Sequence, residues 1–157
     1  MTEPLPLRRA TSADAVAVRT LTRAAYAKWV PLIGREPLPM TADYDRAIAD
    51  HIIDLWEEDG QLLALIETVP AMDHLLIENI AVRPDQQGRG IGGRLLRHAE
   101  RLAVARGLEE VRLYTNAAFA SNIAFYAGLG YEVYRRGSIV PGSVTVFMRK
   151  RVATTGE

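Results

Sequence analysis

Short stretches in which apolar and polar residues alternate occur along most of the chain, and this period of two indicates half-buried β-strands. Such stretches cover residues 5–9, 51–57, 61–69, 74–82, 111–115, 131–136 and 144–149. Asp59-Gly60 stands between the second and the third stretch, and this dipeptide favours the tight turn of a β-hairpin. The pattern therefore predicts a sheet of about seven strands that includes a three-strand meander.

Other segments have apolar residues three and four positions apart, which is the period of an amphipathic helix. They cover residues 13–28, 41–50, about 93–106 and 120–127. The first is expected to bury Val16, Leu21 and Ala24, and the third to bury Leu95, Leu96, Ala99, Leu102 and Ala103. Residues 29–40 contain three prolines and Gly34, so they are predicted as a shaped loop without a helix. Strands and helices together indicate one α/β domain without repeats.

Length and composition exclude several classes of protein. A chain of 157 residues with 48% hydrophobic and 24% charged residues suits a single globular domain. The absence of cysteine excludes disulfides, thiolate metal sites and a catalytic thiol, and no metal is expected. A net charge of zero gives no general attraction to nucleic acid, and no apolar stretch approaches the ~20 residues that span a membrane. Without a secretion signal at its start, the chain is expected to be cytoplasmic, with a frayed end at 152–157.

The most informative segment is the one that joins the predicted strand 74–82 to the long helix. A short polar loop after this strand leads into a glycine-rich turn, Gln87-Gly88-Arg89-Gly90-Ile91-Gly92-Gly93. The first turn of a helix has unpaired backbone N–H groups and a partial positive charge, which attract anions. Glycines let these N–H groups approach a phosphate closely because they have no Cβ atom. The segment therefore predicts a phosphate-binding loop.

Two common phosphate loops fit poorly. A P-loop needs a Lys and a Ser or Thr after its last glycine, whereas Arg94 and Leu95 follow here. Gly88, Gly90 and Gly93 match the dinucleotide pattern formally, and acidic residues occur about 20 positions further on. These acids precede the next strand instead of following it, and about 65 residues are too few for a doubly wound domain.

The third pattern, Q/R-x-x-G-x-G/A, is present as Gln87, Gly90 and Gly92. Upstream of it stands Ala81-Val82-Arg83-Pro84, and about 30 residues downstream stands a second motif, Asn122-Ile123-Ala124-Phe125-Tyr126-Ala127-Gly128-Leu129-Gly130-Tyr131-Glu132. In these motifs the sequence resembles the GNAT superfamily of N-acetyltransferases. The resemblance implies a mixed, mostly antiparallel central sheet of about seven strands flanked by about four helices. It also implies acetyl-CoA as cosubstrate.

The resemblance assigns a binding role to three groups of residues. In the family the fourth strand separates from the fifth, so that backbone groups of Ile80, Ala81 and Val82 can pair with the pantetheine arm of the cosubstrate. One of their N–H groups would stabilise the oxyanion. The side chains of Arg89 and Gln87 would face the phosphates or the ribose. The pyrophosphate would be held by the backbone amides of the turn, which are those of Gln87, Gly88, Arg89, Gly90, Ile91, Gly92 and Gly93. Asn122 would bind the cosubstrate one helical turn before Tyr126.

Two residues are expected to carry the proton transfers. Tyr126 is the candidate general acid, because a phenol can protonate a departing thiolate, and an ordinary core aromatic is the other interpretation of this residue. Glu78 is the candidate general base on the fourth strand, acting through water, although a surface ion pair is the other reading of this residue. His74 and His51 are weaker candidates, and His98 is expected to face solvent. Since members of the family also use chains of water molecules, a dedicated base need not exist.

The acceptor is expected to bind at the first two helices and the loop between them. Trp29, Arg35, Met40 and Tyr44 are the candidate lining residues, and a packed cover over the sheet is the other interpretation of this segment. The partner would be a primary amine of a small molecule or a peptide, with no nucleic acid and no membrane, and a homodimer is expected from the resemblance. The alternative class of function is an acyl-CoA-binding sensor or interaction module without turnover.

Overall fold

A computed structural model of the chain describes residues 5–152, which form seven β-strands and six α-helices. The strands are β1 (Arg8–Arg9), β2 (Ile52–Glu58), β3 (Gln61–Pro70), β4 (Leu75–Val82), β5 (Glu110–Asn116), β6 (Glu132–Gly137) and β7 (Thr145–Arg151). The helices are α1 (Ala15–Tyr26), α2 (Val30–Ile33), α3 (Leu38–Thr41), α4 (Tyr44–Asp50), α5 (Ile91–Ala105) and α6 (Ala120–Gly128). Most of the predicted frayed end lies outside the described residues.

The strands form one seven-stranded sheet in the order β1-β2-β3-β4-β5-β7-β6. β4 and β5 are parallel, whereas β1–β2, β2–β3, β5–β7 and β6–β7 are antiparallel pairs. This confirms the predicted mixed, mostly antiparallel sheet. The β2–β3 turn is also as predicted, because Asp59 (φ 53°) and Gly60 (φ 76°) both adopt the left-handed backbone of a type I′ hairpin.

The chain divides into two compact units, so the prediction of a single domain stays a prediction. Of the described residues, the first unit comprises 5–69 with Asn79–His98, and the second comprises Pro70–Glu78 with 99–152. β4 and α5 each contribute residues to both units.

In the first unit, α1 and α4 pack on β2 and β3. The buried stripe of α1 consists of Ala15, Val18, Leu21, Thr22 and Ala25. The prediction was right for Leu21 and wrong for Val16 and Ala24, since Val16 is 78% exposed and Ala24 is exposed as well. At 100° per residue, Val16 lies on the side of the helix opposite Val18, so an apolar side chain alone did not define the buried face.

The segment 29–40 is not the helix-free loop that the prolines suggest. It contains the single-turn helices α2 and α3, each with a proline at its first or second position, where no N–H is needed. Gly34 ends α2 with a left-handed backbone (φ 73°). The second predicted helix also begins later than expected, because Asp43 caps α4 through the N–H of Arg46 at 3.2 Å.

In the second unit, β5 and β7 pair over seven residues and share a buried face. Val111, Leu113 and Thr115 are buried on one face of β5, and Leu113 lies opposite the fully buried Met148. α5 ends at Ala105, and Gly107 (φ 73°) follows in the left-handed conformation that permits two closing hydrogen bonds. In these bonds the N–H of Leu108 donates to the carbonyl of Ala103, and the N–H of Gly107 donates to the carbonyl of Val104.

Candidate active site

The glycine-rich turn before α5 has the open backbone that a phosphate requires. Gly88 (φ 86°) and Gly90 (φ 77°) adopt left-handed conformations, and apart from each glycine and its two chain neighbours no atom lies within 4 Å of the position that a Cβ would occupy. The helix has its first N–H bond at Arg94, which donates to the carbonyl of Gly90 at 3.2 Å. The preceding N–H groups of this first turn have no partner within the helix. The backbone therefore fits an anionic group such as a pyrophosphate.

Polar side chains of the turn tie it to neighbouring elements of the first unit. The Gln87 amide donates to the carbonyl of Val82 at 3.2 Å and accepts from Lys28 at 3.2 Å. The Arg89 guanidinium donates to Gln86 and lies 5.7 Å from the ring centroid of Trp56. Gln87 and Arg89 are both exposed, so each side chain is accessible to a ligand.

The end of β4 has carbonyl groups that accept bonds from side chains. Ile80 accepts from the Tyr26 hydroxyl at 3.2 Å, and Val82 accepts from Gln87. Ala81, between them, is fully buried in the core of the first unit. Within the described residues, the β4–β5 ladder comprises three pairs and ends at Ile77–Leu113, well before β4 itself ends.

Tyr126 and Asn122 lie one turn apart on α6 in the second unit. The Tyr126 ring contacts Phe125 (5.5 Å between centroids) and Tyr131 (6.3 Å, edge to face). The residue is partly exposed, and its partial burial raises the pKa of Tyr126 to about 12. None of the hydrogen bonds found among residues 5–152 involves this hydroxyl. The phenol is thus held protonated and can donate its proton to a ligand.

Glu78 on β4 has a hydrogen-bond partner that the sequence analysis missed. The Tyr114 hydroxyl donates to its carboxylate, and the Tyr114 ring lies 6.0 Å from that of Phe147. The parallel register pairs Ile77 with Leu113, so the next residues along the two strands, Glu78 and Tyr114, lie side by side. The sequence analysis could have predicted this contact if it had assumed that β4 and β5 pair in parallel in this register.

The four predicted acceptor residues have different environments in the first unit. Met40 and Tyr44 are buried at 4% and 3% exposure, and the Tyr44 hydroxyl donates to the carbonyl of Pro39 at 2.7 Å. Trp29 and Arg35 are partly exposed. Lys28 lies over the Trp29 ring, and Arg35 donates to the carbonyl of Glu36.

The histidines are paired with carboxylates, and the prediction for His98 was wrong. His98 Nε2 lies 2.9 Å from Oδ2 of the buried Asp54, so this face of α5 points to β2 and not to solvent. Burial opposes the ionisation of Asp54, but the bonds from His98 and Arg9 hold the pKa of its carboxyl below the usual value. His51 Nδ1 lies 2.6 Å from Glu67, and His74 Nδ1 lies 2.7 Å from Asp73.

Residues 5–152 contain neither a candidate metal site nor a candidate membrane helix. No group of three or more histidine, aspartate or glutamate side chains is placed to hold a metal ion. None of the described helices combines the length and the apolar character that crossing a membrane requires.

Comparisons with known proteins agree with the resemblance in the two motifs. The family model described as "Acetyltransferase (GNAT) family" matches residues 18–131. The ribosomal protein bS18-alanine N-acetyltransferase of Escherichia coli is 35% identical over 75 residues, which are 48% of this chain and 51% of that protein. The N-alpha-acetyltransferase 80 of Mus musculus is 37% identical over 81 residues, which are 52% of this chain and 23% of that protein. The similarity thus spans about half or less of the length of these relatives.

Solved structures show the same fold at low sequence identity. The PaiA N-acetyltransferase of Thermoplasma acidophilum in complex with coenzyme A has a TM-score of 0.78 at 20% identity, covering 95% of this chain and 99% of that one. The S18-alanine N-acetyltransferase of E. coli has a TM-score of 0.75 at 22% identity, covering 96% of both chains. Since the family model matches most of the chain and includes the glycine-rich turn and Tyr126, this protein belongs to the GNAT family of acetyltransferases.

Proposed function

We propose that this protein is a single-domain N-acetyltransferase that transfers the acetyl group of acetyl-CoA to a primary amine by direct attack. The observation that carries the proposal is the open glycine-rich turn at the start of α5, within a chain of the acetyltransferase family. In the reaction a bond forms between the amine nitrogen and the acetyl carbon, and the bond from this carbon to sulfur breaks. The amine loses a proton to a base, and the thiolate gains one.

Two backbone segments would bind the cosubstrate. The N–H groups from Gln87 to Gly93 would hold the pyrophosphate, because the left-handed glycines leave them accessible. The backbone of Ile80, Ala81 and Val82 would pair with the pantetheine arm. The β4–β5 ladder ends at Ile77, which supports this role. Binding of both substrates side by side removes much of the entropic barrier, so a covalent enzyme intermediate is not required.

Tyr126 would protonate the departing thiolate. Its raised pKa of about 12 keeps the phenol protonated at neutral pH, and its hydroxyl has no hydrogen bond within residues 5–152 that would compete for the proton. A free thiol, with a pKa of about 8.5, is a stronger acid than this phenol, so the phenol acts first by donating a hydrogen bond to the charge that develops on sulfur. The thiolate takes the proton as the bond to carbon breaks, and water returns a proton to the phenolate. Asn122, one turn earlier on α6, would contact the cosubstrate.

Glu78 would take the proton of the attacking amine, directly or through water. Tyr114 supports this role because its hydroxyl bond fixes one carboxylate oxygen and leaves the other available. The partly exposed position on β4 allows water to reach the carboxylate. No ion pair involving Glu78 occurs within residues 5–152, which argues against the surface ion-pair interpretation.

The acceptor would bind beside residues 29–44, and the amino terminus of a peptide is the acceptor that the relatives favour. One relative is named for an alanine of a ribosomal protein and another for N-alpha-acetylation. The segment is held in a fixed shape by Arg23, which bonds Glu36 at 2.5 Å and the carbonyl of Met40 at 2.9 Å. Trp29 and Arg35 are accessible for contact, whereas the buried Met40 and Tyr44 would shape the site from beneath.

The test is the release of thiol from acetyl-CoA in the presence of a panel of amines, including peptides with different first residues, amino acids and polyamines. We expect release that depends on one class of amine, and calorimetric binding of CoA but not of NADH. Binding of CoA without release with any amine would favour the acyl-CoA sensor. Binding of NADH without binding of CoA would refute both. Sedimentation of the same material would test the expected homodimer, and fractionation of cells the cytoplasmic location.

A further inference from the structure

Asn79 on β4 is a buried polar residue whose side chain is fully hydrogen-bonded. It is 2% exposed, and its amide oxygen accepts from the Tyr26 hydroxyl at 2.8 Å. Its amide nitrogen donates to Thr22 and to the Tyr44 hydroxyl, each at 3.2 Å. A buried amide is stable only when its groups are paired, so these partners fix its orientation.

Each of the two tyrosines also contacts a backbone carbonyl elsewhere in the first unit. Tyr44 donates its own proton to the carbonyl of Pro39 at 2.7 Å, at the start of α3. Tyr26 lies 3.2 Å from the carbonyl of Ile80, next to Asn79 on β4. A continuous series of hydrogen bonds therefore joins the segment proposed to bind the acceptor to the backbone proposed to bind the thioester arm.

We propose that Asn79, with Tyr26 and Tyr44, acts as a positioning group that aligns these two binding segments. This proposal rests on the acetyltransferase function. Tyr26 orients the Ile80 carbonyl, Tyr44 holds the backbone at Pro39, and the amide of Asn79 keeps both hydroxyls at a fixed distance. Direct attack requires the two substrates to be placed within a fraction of an ångström, so a rigid link between their sites increases the rate.

Thr22 provides a matched comparison because it accepts a bond from the same amide, while no hydrogen bond found within residues 5–152 joins its side chain to either binding segment. Thr22 is fully buried on α1, and replacement by valine keeps its shape while removing one acceptor of Asn79. A purely structural amide would respond in the same way to the loss of any of its three partners. If Asn79 is a positioning group, loss of each tyrosine hydroxyl should impair only the binding segment that this tyrosine contacts.

The experiment compares Tyr26→Phe, Tyr44→Phe and Thr22→Val, with CoA affinity measured by calorimetry, acceptor KM by thiol release, and Tm by thermal unfolding. We expect Tyr26→Phe to weaken CoA binding about tenfold, which corresponds to the loss of one buried hydrogen bond. Tyr44→Phe should leave CoA affinity within about twofold and raise the acceptor KM about tenfold. Thr22→Val should lower Tm and change neither affinity.

Two results would overturn the proposal. One is an unchanged CoA affinity in Tyr26→Phe together with an unchanged acceptor KM in Tyr44→Phe. The other is a loss of both affinities in Thr22→Val as large as in the tyrosine variants. In either case the wild type still binds CoA and the acetyltransferase function stands. If the wild type gives no heat with CoA, the function itself fails, and the positioning role with it.

Discussion

The sharpest prediction concerns the replacement Tyr126→Phe, which removes a single hydroxyl. That hydroxyl has no hydrogen bond among the described residues, and burial raises the pKa of Tyr126 to about 12. The ring and its contacts with Phe125 and Tyr131 remain in the variant. The change is therefore chemical and leaves the packing of α6 intact.

The expected loss of rate follows from the proposed role of the phenol as general acid. General acid catalysis contributes about 10²- to 10⁴-fold, so kcat should fall by at least about 100-fold, or about 2.7 kcal/mol of transition-state stabilisation. The stability of the Tyr126→Phe variant should not fall together with its rate. The hydroxyl has no hydrogen bond within residues 5–152 to lose, so we expect the free energy of unfolding to stay within about 0.5 kcal/mol of wild type.

The pH profile provides a second test of the same idea. An ordinary tyrosine with a pKa of 10.0 would be half ionised at pH 10, whereas Tyr126, at about 12, would be only about 1% ionised there. In the proposed role the acid form is the active one, so its contribution is lost only as the pH rises through about 12. We expect no decline of kcat from this group below about pH 11.

Tyr131→Phe is the matched control because it removes, from the same unit, a tyrosine hydroxyl that does have a hydrogen bond. Tyr131 is buried and donates to Glu100 at 2.9 Å, a bond to a charged group worth about 1.5–3 kcal/mol. This variant should therefore be less stable and keep its kcat, measured by thiol release and urea unfolding. A Tyr126→Phe enzyme that retains kcat within threefold of wild type would refute the acid role, whatever its stability.

Three other predictions address the base, the phosphate loop and the first helix. Tyr114→Phe should lower kcat/KM about tenfold without changing calorimetric CoA affinity, because Glu78 loses the donor that orients it; an unchanged kcat/KM would exclude that orientation as a factor. Gly90→Ala and Gly107→Ala should each destabilise the fold by about 1 kcal/mol, since both residues have positive φ, but only Gly90→Ala should weaken CoA binding; equal CoA affinities would place the phosphate elsewhere. The hydrogen bond from Arg8 lowers the pKa of Asp14 from 3.8 to about 2. The ionised carboxylate therefore stabilises the fold above pH 4, and this stabilisation is lost as the pH falls towards 2. Asp14→Asn should accordingly be less stable by about 1 kcal/mol at pH 7 in urea unfolding, with a deficit that shrinks through that window; a constant deficit would contradict the assignment.

Local sequence patterns determined the elements of this fold well. The type I′ turn at Asp59-Gly60, the buried face of β5 and the glycine-rich start of α5 depend on residues within a few positions of one another. Their backbone conformations follow from steric limits and from the period of the apolar residues. The same patterns failed at α1, where Val16 is apolar but exposed, because only the element packed against a helix decides which of its sides is buried. They failed again at α2 and α3, where prolines in the first turn begin a helix instead of preventing it.

The partners of the functional side chains were decided by the tertiary structure alone. The bond from Tyr114 to Glu78 spans 36 residues, that from Tyr26 to Asn79 spans 53, and that from His98 to Asp54 spans 44. Each depends on which strands are neighbours, in which register, and on how a helix is rotated against the sheet. No period or motif within the chain specifies these quantities, because they result from the packing of the whole core. The sequence by itself therefore determined the family, the order of the elements and the candidate groups, while the fold decided which of those groups are held, paired or left available to donate a proton.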